Sequence, residues 1–462
     1  MNILIFFSLI VKLLGSVIEI GSQALISQFW SVETYGTYSF FISLAEAFYA
    51  LFFSAIIKFN NFYIPQKCRI SDFKRKFYTH YAVPVFGTGF VIACLLRRPQ
   101  LIWACIAGFF YFCAMDISSK MMSYGRYKAA LLGEYCVGRL FVIVLVAVTI
   151  IIPQRRMESL YAVYALQYVA AIVFYKKVNT KALEDPEKKQ PLEDSAVKKY
   201  VVFQLTDIGH MVIMQTSVIV QYIFGGAYQT ALVSIVLVVR KLINFITGPT
   251  SKLYQPEFAK KYNAGDMKGL QDVYAQITRT QLCFMMPVFT FLVARPDLLL
   301  SVYNKSLVGH GSLVQGTAVV FLLMIAFGPL TNFLCMTGNE KSDTVSNWLS
   351  VAVMYGTMFL TRANSYFVVY GFCAQIIFST LYKAAVYIKY MKALTMPLMD
   401  YVKLLLIFVV AILAMKVGPA NIIYGFAVCG IHFFANFLLV FPQNELDELL
   451  AKLKLRRKKV NE

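Results

Sequence analysis

The chain has 462 residues, 59% of them hydrophobic and 15% charged, against about 25% charged in an ordinary soluble domain. With a mean hydropathy of +0.63, this excludes a water-soluble globular chain and leaves a polytopic membrane protein. The formal net charge of +20 would suggest nucleic acid in a soluble protein, but here the basic residues sort by the connections between apolar runs, which excludes that reading.

A helical span needs about 20 residues. Fourteen apolar runs are expected to serve, at about 3–29, 37–59, 79–96, 101–117, 130–152, 159–175, 200–224, 228–248, 280–294, 313–334, 343–360, 365–384, 398–415 and 420–441. The first run lacks a basic start and is long enough to cross, so it reads as a signal-anchor and not as a cleaved leader. The nine cysteines include no CxxC pair, and most sit in apolar runs as small hydrophobes would.

If the N-terminus is cytoplasmic, 31 of the 44 Lys and Arg fall on cytoplasmic segments, eight on outer loops and five within spans. That asymmetry predicts both termini inside. Outer loops are short, so an extracytoplasmic catalytic domain has no room. The longest inner connection, Lys176–Lys199, mixes both signs around two prolines and reads as a solvated linker. It divides the chain into an N-lobe at 1–176 (six spans), a linker at 177–199, a C-lobe at 200–392 (six spans), two extra spans at 393–441 and a tail at 442–462.

The lobes share a layout. Each second span is followed by a polar segment with spaced apolar residues. In the first lobe these are Phe73 and Phe77 after a cap at Ser71; in the second they are Met267, Leu270, Tyr274 and Ile277. Each is expected to be a short helix on the inner membrane surface. Each leads into Pro-Val-Phe, at Pro84–Phe86 and Pro287–Phe289. Repeated lobes with a site between them are a common transporter plan. In the tail, Leu446, Leu449, Leu450 and Leu453 share a helical face before LRRKKV, a basic surface helix suited to anionic headgroups.

Charges inside apolar spans cost roughly 2.5–3.5 kcal/mol each and mark function by default. The first span carries Lys12, Ser16, Glu19 and Gln23 on one polar stripe, and the second carries Glu46. The fifth carries Glu134 and Arg139, the seventh Gln204, Asp207 and His210, and the eighth Arg240 and Lys241. At 1.5 Å per residue, Asp207 and Arg240 lie roughly 10 and 12 Å from their inner ends and could pair.

Two stretches carry a family likeness: Ser27–Phe52, SQFWSVETYGTYSFFISLAEAFYALF, and the segment PTSKLYQPEFAKKYNAGDMKGLQDVYAQITR that begins at Pro249. Both resemble the polysaccharide-transporter branch, with its Wzx-type O-antigen flippases, of the multidrug/oligosaccharidyl-lipid/polysaccharide exporter superfamily. The resemblance implies an all-α fold of fourteen spans in two lobes, in the bacterial inner membrane. It implies a monomeric flippase, not an enzyme, that moves a polyprenyl-diphosphate-linked oligosaccharide to the outer leaflet. A polysaccharide polymerase and a chain-length regulator would be its partners, along with membrane lipids.

A diphosphate requires cations and a glycan requires hydrogen-bonding groups. The candidate substrate-binding set is therefore Lys12, Arg139, Arg240, Lys241, Gln23 and Gln204. Glu19, Glu46, Asp207 and His210 are candidates for ion coupling or gating. No Walker loop is present, so no nucleotide cofactor is expected, and the coupling ion would be H⁺ or Na⁺. Structural readings stand beside these: an Asp207–Arg240 ion pair, a Lys12 bridge to Glu19 or Glu46, and Lys241 reaching the headgroups. A lipid II flippase or a multidrug exporter of the same superfamily is the alternative function; a membrane-embedded polymerase would need a large outer loop.

Overall fold

The computed structural model describes residues 3–64, 70–151, 156–178, 196–419 and 421–440. Among them the regular structure is entirely helical. In chain order the first helices are α1 (Ile3–Phe29), α2 (Val32–Phe52), α3 (Ala55–Tyr63), α4 (Ser71–Phe77), α5 (Val83–Leu95), α6 (Pro99–Ser123), α7 (Tyr127–Leu132), α8 (Gly138–Ile151) and α9 (Met157–Val178). Then come α10 (Ala196–Asn263), α11 (Met267–Ala294), α12 (Pro296–Tyr303), α13 (Gly311–Ala326), α14 (Leu330–Met336), α15 (Glu340–Leu360), α16 (Phe367–Met391), α17 (Leu398–Val417) and α18 (Ile422–Val440). Among the described residues, eleven helices are long and apolar enough to cross a membrane, or twelve if α2 and α3, bent by 51° at their junction, make one span. Where they are described, the fourteen expected runs fall mainly on helix, with non-helical breaks at 53–54, 327–329 and 365–366. Two of them, at 200–224 and 228–248, lie on the single element α10, which breaks at Gly226 with a left-handed φ of 82°. That backbone suits glycine alone.

The chain packs as two units. One is Met1–Phe245 with Val302–Leu307 and Met354–Phe372; the other is Ile246–Ser301 with Val308–Val353 and Cys373–Glu462. Packing thus groups residues differently from the chain-order division into 1–176 and 200–392. The linker at 177–199 and the tail at 442–462, with its leucine face, lie mostly or wholly outside the described residues.

In the first unit α6 is central, against α2 and α9, while α1 packs on α2 and α8. An aromatic cluster of Phe53, Phe59, Tyr63, Phe77, Phe112 and Tyr200 fills one end. The break between α2 and α3 leaves backbone groups that lipid cannot satisfy. Gln204 answers three of them: its Nε2 donates to the carbonyls of Ala50 (2.5 Å) and Leu51 (2.8 Å), and its Oε1 accepts from the Ala55 amide (3.2 Å).

In the second unit α11 is central, against α13, α17 and α18. Phe258, Leu270, Tyr274, Ile277, Phe333 and Tyr387 form its cluster. The Asp266 carboxylate caps α11 by accepting from the Gly269 amide at 2.8 Å. Lys261 at 2.7 Å and that amide hold the carboxyl below its ordinary value.

Neither of the two short surface helices expected from the sequence stands apart from the span that follows it. Met267–Ile277 is the start of the continuous α11, and Phe73 and Phe77 lie on α4, which a π-helical turn, Tyr78–Ala82, joins to α5. Phe73 and Phe77 pack into the first aromatic cluster and Leu270, Tyr274 and Ile277 into the second, where burial is worth more than contact with headgroups, while Met267 stays exposed. Nor does Ser71 cap α4: the capping position is Ile70, with no side-chain bond.

Candidate functional site

The polar stripe on α1 meets a second π-helical turn, Gly133–Val137, and the start of α8. Such turns add a residue to the helix and recur at functional positions. Gly15 permits the approach, since a Cβ there would stand 2.5 Å from the Tyr135 carbonyl oxygen. Arg139, one residue into α8, reaches back across this contact. Its Nη1 donates to the Gly15 carbonyl at 3.1 Å and to Glu19 Oε2.

Glu19 is the hub of the site. Lys241 from α10 donates to its other oxygen, Oε1, at 2.5 Å. Gln23, one turn along α1, approaches the same oxygen at 3.4 Å and accepts from the Tyr35 hydroxyl at 3.2 Å. Two cations from different helices therefore share one carboxylate. Lys12 lies over the Tyr135 ring at 5.5 Å, and the Arg139 guanidinium lies over it at the same distance. A π face adds to the stabilisation of both cations.

Glu46 on α2 has a different surrounding. Tyr164 on α9 donates to Oε1 at 3.3 Å and Gln215 on α10 donates to Oε2. Tyr168 donates in turn to Tyr164 at 2.9 Å and stacks on Tyr111, centroids 4.7 Å apart. These donors are neutral, so Glu46 has no cation within ion-pair distance among the described residues. Glu134 accepts from Ser118 at 3.4 Å.

The structure thus brings together Lys12, Glu19, Gln23, Arg139 and Lys241, with Glu46 in a polar network of its own. Gln204 is committed to backbone at the α2–α3 break. Arg240 does not meet a carboxylate among the described residues and lies over Phe372 at 5.6 Å. The side chains of Asp207 and His210 lie outside the described residues. Tyr135, Tyr164, Tyr168 and Gln215 were missed in the sequence because tyrosine and glutamine in an apolar run look like ordinary interface or core residues.

Gly15→Val is expected to separate α1 from the π-helical turn and pull the Glu19 carboxylate from Arg139. The change should appear as a lower melting temperature of the purified protein, equivalent to roughly 1–3 kcal/mol for overpacking.

No family model matches the chain, and no curated relative matches it in sequence. Solved structures do. Lipid II flippase MurJ, in an inward closed conformation, superposes with a TM-score of 0.67 over 94% of this chain and 97% of its own, at 11% identity. An inward-facing multidrug resistance MATE family transporter of the MOP superfamily gives 0.61 over 83% and 99%, at 13% identity. The MATE multidrug transporter DinF-BH gives 0.60 over 84% and 96%, at 14% identity. The chain has the fold of these transporters. With its eleven or twelve long apolar helices, it is a multi-pass membrane protein of that fold.

Proposed function

We propose that the protein is a flippase for a polyprenyl-diphosphate-linked oligosaccharide, the repeat unit of an O-antigen or another surface polysaccharide. The observation that carries this reading is the convergence of Arg139 and Lys241 on one carboxylate, with Lys12 beside them on an aromatic face. The two cations paired with the single Glu19 carboxylate suit an anion. In this conformation Glu19 acts as an internal stand-in for the headgroup. A diphosphate displaces it, and Glu19 returns when the ligand leaves, so that tight binding does not prevent release. Arg139 supplies the bidentate contact and Lys241 a mobile point charge. Arg240 is a further cation for the headgroup. Glu46, held by neutral donors, is the group available to the coupling ion, H⁺ or Na⁺, with Asp207 and His210 as further candidates from the sequence.

Tyr111, Tyr164, Tyr168 and Gln215 offer faces and donors to a sugar. One superposition, over 94% of the chain, is with a protein described as a lipid II flippase, which supports a lipid-linked substrate. A multidrug exporter is the alternative; it would be favoured by an acid left without cations, and Glu46 fits that description. The protein would act as a monomer in a bacterial inner membrane with fourteen spans and both termini cytoplasmic, beside a polysaccharide polymerase and a chain-length regulator.

Proteoliposomes holding a fluorescent polyprenyl-diphosphate disaccharide test the reading. Transfer of the probe between leaflets is expected, with inhibition by farnesyl diphosphate and none by farnesol. Transport of a cationic dye without transfer of the diphosphate probe would replace the flippase reading with the exporter.

A further inference from the structure

A second charged site lies at the far end of α4 and α6, away from Glu19. A cavity of about 540 Å³ is lined by Ile64, Ile70, Lys74, Arg75, Tyr78, Asp116, Ile117 and Lys120 among others. It sits where α4 passes into its π-helical turn and where α6 ends. The walls contain three cations and one carboxylate.

That carboxylate is already fully answered. Asp116 is 2% exposed and accepts from Lys74, from Asn60 Nδ2 at 2.9 Å and from the Tyr78 hydroxyl at 3.0 Å. Lys120, one turn along α6, stands 3.4 Å from its second oxygen. Lys74 is buried against Asp116, whereas Lys120 keeps 30% of its side chain open and Arg75 is exposed. The cavity therefore has a net positive wall, with Arg75 and Lys120 as its accessible charges, and an apolar side made by Ile64, Ile70 and Ile117. Lys74 lies at the start of the apolar helix Ser71–Leu95 and Lys120 at the end of Pro99–Ser123, so the cavity is at the level where a span leaves the membrane. The charge asymmetry of the sequence assigns that level to the cytoplasmic side.

We propose that this cavity binds a phosphate-bearing headgroup, and that its source is an anionic phospholipid of the adjoining leaflet. Arg75 and Lys120 contact the phosphate, and the isoleucines contact the glycerol and the first methylenes of the chains. The volume is far larger than a bare phosphate needs, and the mixed wall matches a group that is charged at one end and apolar at the other. Basic pockets between spans hold lipid headgroups on the same principle. The site is independent of the diphosphate reading and stands if that reading fails.

The test uses the full chain in mixed micelles of phosphatidylglycerol and phosphatidylcholine, with retained lipid identified by native mass spectrometry. The wild type is expected to retain one phosphatidylglycerol with a bias of about 30-fold over phosphatidylcholine, as two interfacial cations supply. Arg75→Gln with Lys120→Gln should remove the bias without lowering the melting temperature in phosphatidylcholine, because the Lys74–Asp116 contact remains. Ile117→Trp should remove it by filling the cavity with no change of charge. A bias that survives both variants overturns the proposal. Displacement of the lipid by millimolar inorganic phosphate would keep the phosphate chemistry and overturn the lipid as its source.

Discussion

Arg139→Ala is expected to lower transfer of a diphosphate-linked probe roughly 10- to 100-fold, the loss of one charge-assisted contact to a phosphate, with normal insertion into the membrane. Insertion is preserved because Lys241 stays on Glu19, so no buried carboxylate loses its last cation. Arg139→Ala with Lys241→Ala is expected to reduce transfer further, beyond detection. Glu19→Gln separates binding from structure. If Glu19 is the internal stand-in for the headgroup, its loss leaves Arg139 and Lys241 without their anion. Farnesyl diphosphate should then bind more tightly while turnover falls, because nothing drives the ligand off. If the three residues are only a structural ion cluster, Glu19→Gln weakens the fold and leaves affinity unchanged or lower. Binding to purified protein and flipping in proteoliposomes distinguish the two. Wild-type transfer by Arg139→Ala would end the assignment of this site.

How much of this was legible beforehand depends on what each residue needs. The stripe Lys12, Glu19, Gln23 followed from helical spacing, and the cost of burying charge marked Arg139 and Lys241. Partner choice did not follow. Arg240 and Lys241 are adjacent, so their side chains leave α10 about 100° apart, and one ends on Glu19 while the other ends on Phe372. Depth along a span cannot resolve that, because it does not give the direction in which each side chain leaves the helix. The π-helical turns were not legible either, since they arise from packing and not from a residue signal. Lys74 looked like one more loop lysine. The available clue was Asp116, an acid within the apolar run of α6 with no role assigned to it, and such a residue requires a named partner.

Asp116→Ala is the substitution with the largest expected effect on folding. It would leave Lys74, with 7% of its side chain exposed, without its carboxylate, and the Tyr78 hydroxyl without its acceptor. It would also leave Asn60 Nδ2 with Ser119 Oγ (2.6 Å) and the backbone carbonyl of residue 116. Removing one member of a buried pair costs roughly 3–5 kcal/mol, because the remaining charge has no counter-ion. That is a large part of a typical stability of about 5–15 kcal/mol. The variant should therefore accumulate poorly and melt well below the wild type. Asp116→Asn is expected to lose less, since its oxygen still accepts from Lys74. Replacing the pair together, Lys74→Met with Asp116→Leu, should recover most of the loss, because two apolar side chains of similar volume remove the desolvation cost along with the attraction. The three variants form a graded series in melting temperature, with the double variant above Asp116→Ala. A double variant no more stable than the single one would mean that the hydroxyl and amide partners, and not the ion pair, hold α4 to α6.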